Sequence, residues 1–196
     1  MQPVDDPSRR PSAVLWLVGC ALAALVVVTA CDVMPDRVLD TGSLLTASSG
    51  AGARADGDLH GRTVEVTDAG EPAVANLDPA LRTALEAATK AASDDDVVVR
   101  ITSGWRSRAY QRRLFDEAVA ERGSREEALR WVKLPDDSAH VSGEAVDVGA
   151  TDAAYWMSRH GSRFGLCQTY ANEIWHYELG VDRGGACPPP LVDGSS

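Results

Sequence analysis

Positive charge is scarce in this sequence. Lys and Arg together number 19 against 29 Asp and Glu, which gives a formal net charge of -10. A protein that binds nucleic acid through its phosphates needs a basic face, so this balance argues against nucleic acid as a partner. A local basic patch remains open, because Arg106, Arg108, Arg112 and Arg113 are clustered.

Histidine and cysteine are also few, with four residues of each type. The cysteines include no C-x-x-C pair, which removes the usual spacing of a structural zinc site. Asp94 to Asp96 are not followed by the spacing of an EF-hand loop, so a solvated turn is a better interpretation of these aspartates than a calcium site. His160 ends a predicted helix, where the helix dipole favours a cation, and is not expected to be a metal ligand.

Residues 1–31 are predicted to be a signal or a membrane anchor. Arg9 and Arg10 precede Ala13–Ala30, a run of eighteen residues without a charge. This run is short for a spanning helix and long for a cleaved signal. The stretch V-T-A-C ending at Cys31 resembles a bacterial lipobox, so a lipidated Cys31 and an uncleaved single-pass helix both remain open. Either one places the rest of the chain outside the cytoplasm, attached to the membrane.

The exported part then contains one pair of cysteines, Cys167 and Cys187. An even pair in an oxidising compartment predicts a disulfide bond. The alternative role as zinc ligands is disfavoured by the missing C-x-x-C spacing.

The rest of the chain divides by composition. Residues 32–76, rich in Gly, Ala, Ser, Thr and Asp, are predicted to be a flexible linker in which Val64–Val66 is a candidate short strand. Residues 77–190 are predicted to fold, and residues 191–196 to form a disordered tail after three prolines.

Helix and strand signals alternate within the predicted folded domain. Asp78-Pro79 predicts the start of a helix, and Val97–Thr102 predicts a core strand. Ser107 to Gly123 contains a capped helix ended by glycine. Further strands are predicted around Val146–Val148 and at Ile174–Leu179. This order favours an α+β fold, a small and mainly antiparallel sheet flanked by helices.

Two stretches carry the chemistry. Ser138–Asp147 reads S-A-H-V-S-G-E-A-V-D, and Glu173–His176 reads E-I-W-H. Together they supply two imidazoles, an aspartate and a further glutamate, which matches a catalytic zinc site with three ligands, an open position and a carboxylate base. The candidate ligands are His140, Asp147 and His176, and the candidate base is Glu173.

The spacing within these stretches predicts their local geometry. Gly143 permits a bend that folds His140 back towards Asp147. Glu173 and His176 are three positions apart and would face opposite sides of a regular strand, so one of them must lie in irregular backbone if both reach the site. On its own, a residue of any of these types is more often a surface or hydrogen-bonding residue than a metal ligand.

The pattern S-x-H-x-x-G-x-A-x-D followed by E-x-x-H resembles the D-alanyl-D-alanine carboxypeptidases of the VanY and VanX type, the zinc peptidases of family M15. That family also has S-G-Y-R-S upstream, where this chain has S-G-W-R-S at Ser103–Ser107, with Trp105 in place of Tyr. The resemblance runs from about Ile101 to about Leu179. It implies a Hedgehog/DD-peptidase-like fold, a bound Zn²⁺ ion and a catalytic domain at residues 77–190.

The resemblance also implies roles for individual residues. Glu173 corresponds to the general base, and Arg106 to a guanidinium that stabilises the oxyanion. Ser138 and Gln111 correspond to residues that hold the terminal carboxylate or backbone of the substrate. Glu144 and Glu178 are expected at the surface.

The implied function is an extracytoplasmic, monomeric zinc carboxypeptidase that removes the terminal D-alanine from peptidoglycan stem peptides. L,D-carboxypeptidase and peptidoglycan endopeptidase activities of the same family remain alternatives. So do a non-catalytic cell-wall-binding module and a zinc-storage or sensing lipoprotein, neither of which needs Glu173 or Arg106.

Overall fold

The protein is described from a computed structural model, which covers residue 52 and residues 54–196. Its helices are α1 (Pro72–Ala75), α2 (Pro79–Asp94), α3 (Arg108–Arg122), α4 (Arg125–Leu129), α5 (Ala139–Ser142) and α6 (Thr151–His160), with a 3-10 turn at Gly161–Phe164. Its strands are β1 (Arg100–Ser103), β2 (Ala145–Gly149), β3 (Leu166–Gln168) and β4 (His176–Leu179). The predicted signal or anchor at residues 1–31, with Cys31, lies outside the described residues. Among the described helices, none is long and apolar enough to cross a membrane.

The strands form one sheet in the order β1-β2-β4-β3, and every neighbouring pair is antiparallel. Side chains alternate between the two faces of a strand. Val146, Val148 and Tyr177 are buried in the main hydrophobic core together with residues of α2 and α6. Asp147 and His176 therefore project from the opposite face. The predicted α+β fold with a small antiparallel sheet is confirmed.

Capping residues set the predicted helix starts. The Asp78 side chain accepts hydrogen bonds from the backbone N–H groups of Ala80 and Leu81 at 2.8 and 3.0 Å, and Pro79 is the first residue of α2. Ser107 caps α3 in the same way. A second, smaller hydrophobic cluster of Phe115, Ala118 and Ala128 joins α3 to α4. Helix α3 and the loop that follows α4 form one side of the cleft described below.

The predicted linker at residues 32–76 includes residues that belong to the folded domain. Leu59, Val64 and Val66 are buried in the main core, and Val64 pairs with Ile101 of β1 through two backbone hydrogen bonds. The prediction that the whole of residues 32–76 is a flexible linker is therefore wrong for this part. Its scattered apolar residues have no helical or strand period, yet they cover the outer edge of β1.

The predicted disordered tail at residues 191–196 is also wrong. Leu191 forms a parallel bridge to Tyr170, and the buried Asp193 carboxylate accepts a hydrogen bond from Arg130 Nε at 2.8 Å. Ser195 donates two further hydrogen bonds to Asp193. The tail is anchored by these polar contacts rather than by a regular element, which is why composition did not indicate it.

The structure joins Cys167 and Cys187 by a disulfide across a separation of 20 residues. Its reduction is expected to lower the free energy of unfolding by about 3 kcal/mol, because the reduced unfolded chain is less constrained. Bound zinc should be retained, since neither sulfur belongs to the ligand cluster. Thermal melts with and without reductant, together with zinc analysis, measure both effects. Free thiols at both positions in protein exported under oxidising conditions would refute the pairing.

Candidate metal centre

The register of β2 and β4 brings two of the predicted ligands together. Asp147 lies directly opposite His176 in this antiparallel pair. Residues that are directly opposite share one face of a sheet. His176 Nδ1 lies 3.1 Å from Asp147 Oδ1 in consequence. The strand that carries His176 begins at that residue, two positions later than the sequence predicted.

The third predicted ligand comes from α5. Gly143 ends this short helix with φ at 82°, and a Cβ atom there would lie 2.3 Å from the carbonyl oxygen of Asn76. The backbone then turns into β2, and His140 Nε2 lies 3.4 Å from Asp147 Oδ1. The predicted bend at Gly143 is present, although a helical turn precedes it rather than a loop.

The three ligand atoms lie within 4.8 Å of one another, and all three residues are buried. Two imidazole nitrogens and one carboxylate oxygen form a donor set that suits zinc, whereas calcium and magnesium prefer oxygen donors. Three protein ligands leave a fourth tetrahedral position open. The residues present therefore fit a catalytic zinc ion.

Each imidazole is oriented through its other nitrogen. His140 Nδ1 lies 2.8 Å from the backbone oxygen of Gly104, and His176 Nε2 lies 2.9 Å from Glu178 Oε1. These acceptors fix the tautomers, so that His140 presents Nε2 and His176 presents Nδ1 to the ligand cluster.

Glu178 is half-buried rather than on the surface, so its predicted position is wrong. It is two residues after His176 on the same strand, and side chains at i and i+2 share a face. The spacing of two residues could therefore have indicated that Glu178 lies beside His176. Glu144, by contrast, is exposed as predicted.

Opposite charges in the cluster shift the pKa values of its members. Burial alone would raise the pKa of Asp147, but His140, His176 and Arg106 together hold the pKa of this carboxyl well below its usual range. Burial would lower the pKa of His176, but its hydrogen bonds to Asp147 and Glu178 outweigh this and raise the pKa to about 9. Burial and the neighbouring Arg106 lower the pKa of His140.

Glu173 lies in irregular backbone just before β4, as the sequence required. Its carboxylate is buried, and Oε2 lies 3.8 Å from His176 Nδ1. Burial raises the pKa of Glu173 to about 7. A carboxyl group with a pKa near neutrality can both accept and release a proton at physiological pH.

Arg106 is held by three polar contacts. Its Nη2 donates to Asp147 Oδ2 at 2.9 Å, its Nη1 to Gln111 Oε1 at 3.1 Å and its Nε to Ser103 Oγ at 2.8 Å. The guanidinium also lies 3.4 Å from His140 Nε2. It is therefore fixed beside the ligand cluster.

Gln111 and Ser138 occupy different situations. The Gln111 side chain is fully buried, and both ends of its amide are hydrogen-bonded. The oxygen accepts from Arg106, and Nε2 donates to the backbone oxygen of Lys133 at 2.8 Å. Its contacts support Arg106. Ser138 immediately precedes α5, forms no capping hydrogen bond with its side chain, and lines the same cleft as His140.

A cleft of about 330 Å³ opens over the cluster. Trp175 contributes to its wall and is partly exposed, whereas Tyr177 is buried and donates a hydrogen bond to Ala154. His160 packs instead against Trp156, with ring centroids 4.8 Å apart, and takes no part in the cluster. The described chain thus gathers all the predicted catalytic, substrate and metal residues at one cleft: Arg106, Gln111, Ser138, His140, Asp147, Glu173 and His176.

Comparison with known proteins identifies similar sequences and structures. The profile of the VanY family, described as D-alanyl-D-alanine carboxypeptidase, matches residues 74–181. A D-alanyl-D-alanine carboxypeptidase of Enterococcus faecalis is 31% identical over 118 residues, covering 47% of this chain and 44% of the relative. This chain thus spans less than half the length of that relative. The solved structure of VanYB in complex with D-alanine-D-alanine is 28% identical with a TM-score of 0.50, covering 53% of this chain and 71% of that chain.

Proposed function

Because the chain belongs to the VanY family of D-alanyl-D-alanine carboxypeptidases, we propose that it removes the terminal D-alanine from peptidoglycan stem peptides in a zinc-dependent reaction. Family membership confirms the resemblance of the motifs, and it supports the class of enzyme, a zinc metallopeptidase. The observation that carries the proposed activity is the buried three-ligand cluster with Glu173 and Arg106 beside it. The complex of the similar VanYB protein with D-alanine-D-alanine supports this substrate class.

His140, Asp147 and His176 would hold the zinc ion, which would act as a Lewis acid and would lower the pKa of a water molecule to about 7. The Glu173 carboxylate accepts a proton from the attacking water and delivers it to the nitrogen of the departing D-alanine, as the peptide C–N bond breaks. The Arg106 guanidinium donates hydrogen bonds to the carbonyl oxygen while negative charge develops on it. A binding module or a zinc-storage protein needs neither function.

We also infer that the reaction takes place outside the cytoplasm. The uncharged run Ala13–Ala30 behind Arg9 and Arg10 supports export, and the Cys167–Cys187 disulfide suits an oxidising compartment. Stem peptides of the wall are exposed there. Attachment to the membrane through residues 1–31 and a monomeric state remain proposals from the sequence.

Mass spectrometry on a stem pentapeptide incubated with the full-length protein tests the proposed function. We expect loss of one terminal alanine with zinc and no loss with a chelator. Loss of alanine from a tetrapeptide alone would instead indicate an L,D-carboxypeptidase, and cleavage only of cross-linked peptides an endopeptidase. Absence of all cleavage with zinc bound would favour the binding module.

Glu178→Gln is expected to weaken zinc binding by about 10- to 100-fold, because a neutral amide holds the His176 ring less firmly and lowers its basicity. Competition between the protein and a chromogenic chelator measures the affinity. Glu144→Gln is the matched control, since Glu144 is exposed and its carboxylate accepts a hydrogen bond from Ser142 rather than from a ligand ring. Equal affinities of the two variants and the wild type would show that Glu178 has no part in orienting His176.

A further inference from the structure

Arg106 lies in residues 104–107, between β1 and α3, where the backbone belongs to no helix or strand. The position of such a segment depends on its contacts with other parts of the chain. Three successive backbone N–H groups donate hydrogen bonds to three separate parts: Trp105 to Ala73 at 2.9 Å, Arg106 to His140 at 3.0 Å and Ser107 to Asp56 at 2.9 Å. The last acceptor belongs to residues 54–61, which do not line the cleft.

We call residues 54–61 the strap, and its buried Gly57 lies against the peptide group that joins Trp105 to Arg106. A Cβ atom on Gly57 would lie 2.1 Å from the carbonyl oxygen of Trp105 and 3.3 Å from the Cα atom of Arg106. Gly57 also has a φ of 88°, which glycine adopts without a steric penalty. Any larger residue at this position would displace either the strap or the segment that carries Arg106.

The strap is itself fixed to the domain. The Leu59 side chain is buried in the main hydrophobic core. The Asp56 carboxylate lies 3.4 Å from both terminal nitrogens of Arg113 in α3. Arg54 Nε donates a hydrogen bond to the buried Glu71 at 3.1 Å. The strap therefore presents a fixed surface to the segment that carries Arg106.

We propose that the strap is a positioning element for the reaction, in which Gly57 and Asp56 fix the backbone of residues 105–107 and so hold the Arg106 guanidinium beside His140. Neither residue contacts the substrate in this role. The inference rests on the proposed function and extends it. The strap precedes residues 74–181, the part that the VanY profile matches, so family membership by itself assigns it no role.

Gly57→Ala is expected to lower kcat on the stem pentapeptide by about 10- to 100-fold, with a smaller change in KM and with the zinc content unchanged, because a shift of about 1 Å in a catalytic group is costly. Gly61→Ala is the matched control. Gly61 belongs to the same strap and has a φ of 72°, but a Cβ atom there would meet nothing within 4 Å. Both variants place an L side chain at positive φ, so only the contact with residues 105–106 differs. Equal kinetics of the two variants would refute the role of Gly57.

A double variant shows whether Gly57 acts through Arg106. In an Arg106→Lys background, Gly57→Ala should lower kcat by less than about threefold, because the directed guanidinium is already lost. A purely structural role would give the same loss in both backgrounds, and that result would contradict the proposal.

Hydrogen exchange followed by mass spectrometry needs no substrate and therefore separates this proposal from the proposed function. In full-length Gly57→Ala, the peptide that covers residues 104–108 should exchange several-fold faster than in the wild type and in Gly61→Ala, because the Ser107 N–H loses its acceptor. That result supports the strap even if the wild type cleaves no peptide and the proposed activity fails. Unchanged exchange would overturn the proposal even if the wild type releases D-alanine.

Asp56→Ala keeps the proposal testable if Gly57→Ala does not fold. It removes the side-chain contact with Arg113 and leaves the backbone acceptor in place. A partly exposed ion pair of this kind should slow the exchange of residues 104–108 by about 2- to 5-fold, so its loss should speed the exchange by that factor. Asp94→Ala, at an exposed position of α2, is the control. Exchange in Asp56→Ala at the wild-type rate would rule out a strap that holds this segment.

Discussion

Glu173→Gln is expected to reduce kcat on a stem pentapeptide by about 10²- to 10⁴-fold while the protein keeps its zinc. The amide has nearly the shape of the carboxylate but cannot accept a proton from water. Glu173 is buried beside His176, yet it is not one of the three clustered ligands. Release of D-alanine gives kcat, and metal analysis of the same sample gives the zinc content.

Glu86→Gln provides the control, because Glu86 is an exposed glutamate on α2. Its activity and zinc content should match those of the wild type. If Glu173→Gln retained activity within a few-fold, the general-base assignment would be wrong. If it lost zinc instead, Glu173 would act in metal binding rather than in proton transfer.

The ligand set of the centre was implied by the family resemblance, whereas the local geometry around each ligand was accessible from the sequence itself. Val146 and Val148 flank Asp147 in a β-branched run, which indicates a strand with one polar side chain on its second face. Gly143 marks the bend that returns His140 to that face. The three-residue spacing of Glu173 and His176 required irregular backbone before the second strand. Each of these features depends on only a few neighbouring residues.

The hydrogen bonds that hold the residues around the centre were harder to predict, because they join segments that are distant in sequence. Gln111 was expected to hold substrate, but its helix places the amide between Arg106 and the loop at Lys133. That loop is 22 residues away along the chain. Nothing in the local pattern of α3 reveals which partner a buried amide will find.

The sequence did not indicate that the two ends of the domain are folded, for the same reason. Val64 belongs to a segment without periodic hydrophobicity, and its pairing with Ile101 spans many residues. Asp193 is one acidic residue in a short polar tail, and its significance depends on Arg130 across the molecule. Composition describes such segments as linkers, whereas a few specific contacts are enough to fold them onto a core.

Arg106→Lys is expected to lower kcat by about 10²- to 10³-fold with a much smaller change in KM. Lysine keeps the charge, but it cannot make the three directed contacts to Ser103, Gln111 and Asp147 that hold the guanidinium beside His140. A mobile ammonium would stabilise the developing oxyanion less well than a fixed planar donor group. Steady-state kinetics on the pentapeptide separate the two constants.

Arg108→Lys is the matched control, since Arg108 is two residues after Arg106 at the start of α3 but is exposed and pairs with Asp136 at the surface. It should behave as the wild type. An increase in KM for Arg106→Lys at unchanged kcat would mean that Arg106 binds ground state and transition state equally, as expected for a carboxylate-binding residue. In that event Arg106 would bind the substrate terminus, and the oxyanion would need another donor. A decrease confined to kcat assigns Arg106 to the reacting carbonyl, where the charge that it neutralises develops only in the transition state.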